Sequence, residues 1–119
     1  MATGPSRLKV KREGEVIQVE FVDRNILDEA NIQQIGDEIT SIIDKEATPK
    51  LLISFANVDH LSSAALGTLI TINNRMKGRN GKLRLANIDP QILEVFKITK
   101  LDRLFQIHDT TDRAMASLK

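Results

Sequence analysis

Leu51-Leu52-Ile53-Ser54-Phe55 leads, through Ala56 and Asn57, into Val58-Asp59-His60-Leu61-Ser62-Ser63-Ala64-Ala65-Leu66-Gly67. The first run is apolar at successive positions, so both of its alternating faces are apolar. A central strand covered on both sides has this pattern. Beyond the second run, Leu66, Leu69, Ile70, Asn73 and Met76 recur at three- and four-residue spacings, one stripe of an amphipathic helix. Two adjacent hydroxyls, Ser62 and Ser63, therefore fall where a strand gives way to a helix. A helix start carries unpaired N–H groups and partial positive charge. A serine there can cap the helix, bind an anion or accept a phosphate.

Working outward, Lys9 to Arg12 and Val16 to Phe21 read as two strands around Glu13-Gly14, an antiparallel hairpin. In the second, Ile17, Val19 and Phe21 alternate with Gln18 and Glu20. Asp23-Arg24-Asn25 is a polar break. Asp28 reads as a helix cap with Glu29 in the first turn, and Ile32, Ile35, Ile39, Ile42 and Ile43 form the buried stripe that follows. Pro49 marks the exit. After the second helix, Gly78 and Asn80-Gly81 supply a stop and a turn. Leu83 and Leu85 then alternate with Lys82 and Arg84 in a strand. Asp89-Pro90 opens a short helix carrying Ile92, Leu93, Val95 and Phe96. Leu104, Phe105 and Ile107 read as a last short strand. Asp109 and Asp112, at capping-box spacing, precede a terminal helix with Ala114, Met115 and Leu118. The predicted order is β-β-α-β-α-β-α-β-α. It implies an α/β fold with a mixed, mostly parallel sheet, an antiparallel edge strand and about four helices. Residues 1–7 read as a flexible tail and 8–119 as one domain.

Composition narrows the function classes. The chain has 119 residues, 28% charged, with a formal net charge of +1. That balance lacks the basic excess of a nucleic-acid binder. Aromatic residues are all Phe and make up 3%, leaving little for stacking on bases. There is no cysteine for a thiolate metal site. No apolar run approaches the roughly 20 residues of a membrane span. The expected address is cytoplasmic, with no membrane insertion.

Catalytic readings fare poorly. Asp59, His60 and Ser62 or Ser63 contain the residue types of a triad but share one short loop, whereas a relay needs side chains converging from separate elements. Asp59-His60 lacks further metal ligands at a readable spacing. Neither a P-loop nor a Gly-x-Gly-x-x-Gly motif is present. No catalytic residue, cofactor or metal is expected. His60 reads as a solvated loop residue and His108 as a surface or capping side chain. Lys77, Arg79, Lys82 and Arg84, and separately Lys9, Lys11 and Arg12, read as solvated faces rather than a nucleic-acid surface. Spacing alone favours a capping serine over a modified one. A cap needs only one hydroxyl, however, and small Ala64 and Ala65 leave the neighbourhood uncrowded.

At this point the chain resembles the STAS family of anti-sigma factor antagonists and related sulfate-transporter domains. Leu61-Ser62-Ser63-Ala64-Ala65-Leu66-Gly67 is similar to that family's signature loop, commonly hydrophobic-Asp-Ser-Ser/Thr-Gly-Leu-Gly. The strand before it, the helix after it, Gly81-Lys82-Leu83-Arg84-Leu85, Ile26-Leu27-Asp28 and the stretch from Ile92 to Phe105 resemble the family too. Aligning Leu66-Gly67 with the family's Leu-Gly places the phosphorylatable serine at Ser63, with Ser62 as second choice. Ser62 then occupies the usual Asp position, Ala64 the second hydroxyl and Ala65 the usual Gly. Asp28 matches the family's loop carboxylate near the phosphoserine, with Asp23 the other candidate.

The resemblance implies a non-enzymatic module that binds an anti-sigma factor with serine-kinase activity and releases a sigma factor. Phosphorylation at Ser63 would end that binding and a protein phosphatase would restore it. The implied partner surface is Asp28, Asp59, His60, Leu61, Ser62, Ser63, Ala64 and Ala65. The resemblance leaves room for a weak homodimer. It also leaves open a non-phosphorylated scaffold or regulatory subunit in a signalling or lipid-transport complex, in which Ser63 merely caps. A small-ligand sensor ranks last, since the sequence offers no phosphate cradle.

Overall fold

The computed structural model describes residues 8–118, so the expected tail, residues 1–7, lies outside the described residues. The chain runs β1 (Leu8–Glu13), β2 (Val16–Phe21), β3 (Asn25–Ile26), α1 (Glu29–Asp44), β4 (Lys50–Ser54), β5 (His60–Leu61), α2 (Ser63–Gly78), β6 (Lys82–Ala86), α3 (Pro90–Ile98), β7 (Gln106–His108) and α4 (Thr111–Leu118). A single 3-10 turn, Leu101–Arg103, links α3 to β7.

The main sheet has the order β1-β2-β4-β6-β7. β1 is antiparallel to β2, and the remaining neighbours are parallel. Every parallel step moves the same way across the sheet through one helix. Right-handed crossovers then set α1, α2 and α3 on a single face. Side-chain alternation agrees. Ile17, Val19, Phe21, Leu51, Ile53, Phe55, Leu83 and Leu85 share one core with Ile35 and Ile39 of α1, Leu69 and Ile72 of α2, and Phe96 of α3. The opposite parity, Val16, Leu52 and Ala86, packs with Ala114, Met115 and Leu118 of α4. β4 is apolar on both faces because both are covered. Each buried Leu or Ile contributes roughly 1.5–3 kcal/mol.

Caps position the helices. Asp28 is extended (φ −82°, ψ 126°), and its carboxylate accepts the Ala30 N–H at 3.1 Å. Asp89 does the same for Gln91 at 2.8 Å, with Pro90 in the first turn. Gly78 is the last residue of α2, and the stop itself is made by the Asn80-Gly81 pair. Asn80 is left-handed (φ 55°), and the N–H groups of Asn80 and Gly81 donate to the Lys77 and Met76 carbonyls. That is a Schellman stop. Gly81 is required by space: a Cβ there would lie 2.7 Å from the Pro49 carbonyl oxygen.

The structure departs from the sequence reading in four places. β3 and β5 are additional strands of two residues each, and they pair with one another in a separate sheet. Leu104 and Phe105 are not strand: both N–H groups donate to the Leu101 carbonyl, closing the 3-10 turn, and β7 starts at Gln106. At α4 the capping side chain is Thr110, which accepts the Arg113 N–H at 3.2 Å, and not Asp109. His108 is neither surface nor cap. It ends β7 half-buried, and its Nε2 is buried without a partner. Among the described residues no helix is long and apolar enough to cross a membrane.

Candidate functional site

The two short strands build the site. Asn25 pairs with His60 and Ile26 with Leu61, in parallel. The pairing is reinforced on both sides. The Asp59 and His60 N–H groups donate to the Arg24 carbonyl at 2.7 and 3.2 Å, and the Ser62 N–H donates to the Ile26 carbonyl at 3.0 Å. Arg24 also sets Nε and Nη2 at 2.9 Å from one Asp59 carboxylate oxygen. Both side chains are largely in water, so the ion pair is worth about 0–1 kcal/mol. Its effect is to hold register. This suture ties the connector before α1 to the connector before α2.

The register has a direct consequence for the serines. The Ser62 N–H to Ile26 carbonyl bond brings Leu27 and Ser62 off the ladder together, one residue before Asp28 and Ser63. Paired positions on neighbouring strands lie about 4.8 Å apart. The cap of α1 and the start of α2 thus lie on two connectors that leave the same short ladder, two residues beyond its last pair, Ile26 and Leu61.

The two serines differ. Ser62 is extended (φ −81°, ψ 164°), and its Oγ accepts the Ala65 N–H at 3.2 Å, so Ser62 is the cap of α2. Ser63 is the first helical residue and is exposed. Its hydroxyl has no hydrogen-bond partner among the described residues. The first turn of α2 carries no acidic side chain, so the positive end of this helix is not offset by a carboxylate of its own.

The remaining sequence-derived residues sort by exposure. His60 and Ala64 are exposed, while Asp59 is intermediate and held by Arg24. Leu61 is half-buried. Ala65, expected on the partner surface, is 5% exposed and turns inward. With Leu61, Phe21 and Phe55 it lines a residual apolar gap of about 10 Å³ between α1, α2 and the sheet. Its methyl is a packing group. Asp23 lies upstream of the paired segment. Beside the site, Asp59 and His60 share an open hollow of about 410 Å³ with Asp89, Pro90 and Gln91. No group of three or more His, Asp or Glu side chains among the described residues could hold a metal ion.

Sequence reasoning missed the role of Arg24, Asn25 and Ile26, which it treated as a polar break and a turn. The sequence held no signal for it: Ile26 and Leu27 are both apolar, and only the fold buries the first and exposes the second.

Comparison with known proteins is consistent with this geometry. The STAS domain profile matches residues 9–114. A Bordetella bronchiseptica protein named "Putative anti-sigma factor antagonist BtrV" is 24% identical over 96 residues, 81% of this chain and 82% of that protein. The structure of an anti-sigma-factor antagonist (STAS) domain protein from Planctomyces limnophilus superposes with a TM-score of 0.85 at 23% identity, covering 93% of this chain and 97% of the other. The phosphorylated form of the Bacillus cell fate determinant SpoIIAA superposes with a TM-score of 0.72 at 18% identity, covering 94% and 99%. With the profile spanning nearly all of the described residues, and the sheet, helices and serine loop arranged as they are, the chain belongs to the STAS domain family.

Proposed function

We propose that this protein is an anti-sigma factor antagonist switched by phosphorylation of Ser63. In its unmodified form it binds an anti-sigma factor with serine-kinase activity through Asp28, Asp59, His60, Leu61, Ser62, Ser63 and Ala64, and so frees a sigma factor. The kinase then modifies Ser63 with ATP, the complex dissociates, and a phosphatase resets the module. The chain itself is no enzyme in this scheme and works in the cytoplasm. The names of its relatives support the antagonist role. The observation that carries the switch is the division of labour between the serines: the Ser62 hydroxyl is occupied as a cap, while that of Ser63 is exposed and unpartnered.

The physics is local. A phosphate adds about −1.5 to −2 charges. At the start of α2 the domain tolerates it, with a gain of about 0.3–1 kcal/mol from the helix end. Asp28, on the connector joined to this one, offsets part of that gain. Under a docked partner the same charge loses water and costs several kcal/mol unless a cation meets it. Binding can therefore be lost without refolding.

The test uses an anti-sigma factor kinase, ATP and intact-mass measurement. One phosphate on the wild type and none on Ser63→Ala is expected. Ser63→Asp is expected to lose the partner and Ser63→Ala to keep it. If both variants bind as the wild type does, the charge switch is wrong. One observation favours the scaffold alternative: the residue before the acceptor is a neutral Ser62 where the family commonly has Asp. No modification by the kinase, together with a stable complex in the cell, would establish that second reading.

A further inference from the structure

We infer that Leu27 is the apolar anchor of the partner interface, and that the partner presents an apolar socket immediately beside the position of Ser63. The inference rests on the reading of Ser63 as a partner-facing switch and deepens it. Leu27 is 55% exposed, whereas its strand neighbour Ile26 is 2% exposed. Strand alternation explains why one points in and the other out, but nothing inside the molecule uses an apolar side chain at the outward position. Val22, on the same connector, is also a large exposed apolar residue. The suture fixes where this connector lies: Leu27 is the first residue beyond the ladder, next to the Ser62 N–H, which donates to the Ile26 carbonyl one residue before Ser63 along the other connector.

Size makes the coverage unavoidable. A stable interface takes about 800 Å² from each partner, a patch of roughly 16 Å radius. Leu27 lies well within about 10 Å of Ser63 by strand spacing. Any protein centred on Ser63 therefore buries Leu27 near the middle of its footprint, where desolvated contacts dominate binding. Exposed Ala64 and Gly67 on α2 leave room for that approach. Burying Leu27 also removes water from around the serine. That dry surround is what would make a phosphate on Ser63 incompatible with the complex. Leu27 thus sets both affinity and the depth of the switch.

The experiment measures binding of the anti-sigma-type serine kinases encoded in the protein's own genome, each purified singly, to wild type, Leu27→Ala, Leu27→Met, Val10→Ala, Ser63→Asp and the Leu27→Ala/Ser63→Asp double variant. Leu27→Ala is expected to bind roughly tenfold or more weakly, with unchanged thermal stability. Leu27→Met should retain binding. Val10→Ala, which trims an exposed apolar side chain on β1, should bind as wild type. In the double variant the penalty of Ser63→Asp should shrink, because a wetter interface tolerates charge. If Ser63→Asp loses the kinase while Leu27→Ala keeps wild-type affinity, the anchor is overturned and the switch stands. If the two effects simply add, the water-exclusion role is overturned. If the wild type binds no such kinase, the proposed function fails and the anchor with it.

Discussion

The Ser62 hydroxyl accepts one backbone N–H, and that contact separates two neighbouring side chains of the same chemistry. Ser62→Ala should lower stability by about 1 kcal/mol, the usual cost of losing an N-cap. Ser63→Ala should leave it within about 0.5 kcal/mol, as for other surface changes without a partner. Denaturant melts of the two variants check this, and equal losses would mean that the hydroxyls share the cap. From sequence the pair could not be resolved, because sliding the helix start by one residue exchanges their roles and helix starts are the least legible boundaries. Ala65 was misplaced for a related reason: its direction depends on the turn in which α2 begins, and the helix that results points it into the core.

At the scale of elements, what was legible followed from periodicity and capping chemistry. The isoleucine stripe of α1, the doubly apolar β4 and the caps Asp28 and Asp89 all stand where hydrophobic spacing and capping chemistry put them. β3 and β5 were invisible because two residues carry no period, and their existence depends on a partner far along the chain. The Leu104-Phe105 pair misled because an apolar dipeptide fits a 3-10 turn as well as a strand. At the start of α4, Asp109 and Thr110 are both good caps, and only geometry selects Thr110. The turn between α2 and β6 makes a sharper prediction. A methyl on Gly81 would meet the Pro49 carbonyl oxygen at 2.7 Å and the Met76 Cε at 2.9 Å. Gly81→Ala should cost roughly 1–3 kcal/mol as an overpacking change, seen as a lower thermal midpoint with the serine loop unaffected.

Across the whole molecule, α1 and α2 are fastened at both ends. The suture joins the connectors at their N-termini, and Asp44 of α1 joins Arg75 of α2 at the other end through Nε at 3.0 Å and Nη2 at 2.8 Å. Arg79 adds a longer contact to Asp44 and donates to the Glu46 carbonyl. The Arg75 hydrogen bond holds the Asp44 carboxyl below its ordinary value of 3.8; burial opposes it, and the charges of Arg75 and Arg79 add to the lowering. A carboxylate whose folded pKa is depressed stabilises the fold above its unfolded pKa and loses that contribution as the pH falls through the folded one. Asp44→Asn should therefore melt below the wild type at neutral pH, with the gap closing as the pH drops below 3.8. A gap that stays constant across that range would mean that the contact acts through packing rather than charge.

The suture has one more consequence, which concerns the order of assembly. Arg24 and Asp59 are separated by 35 positions along the chain, so the contact between their segments pays a loop-closure entropy that local helices do not. A nascent or partly unfolded chain carries Ser63 without the connector of Leu27 and Asp28 joined to it. On the proposed reading, maturation and signalling competence coincide: the surface assigned to the partner exists only on a folded molecule, and a regulator reading it would also inspect whether the chain has folded.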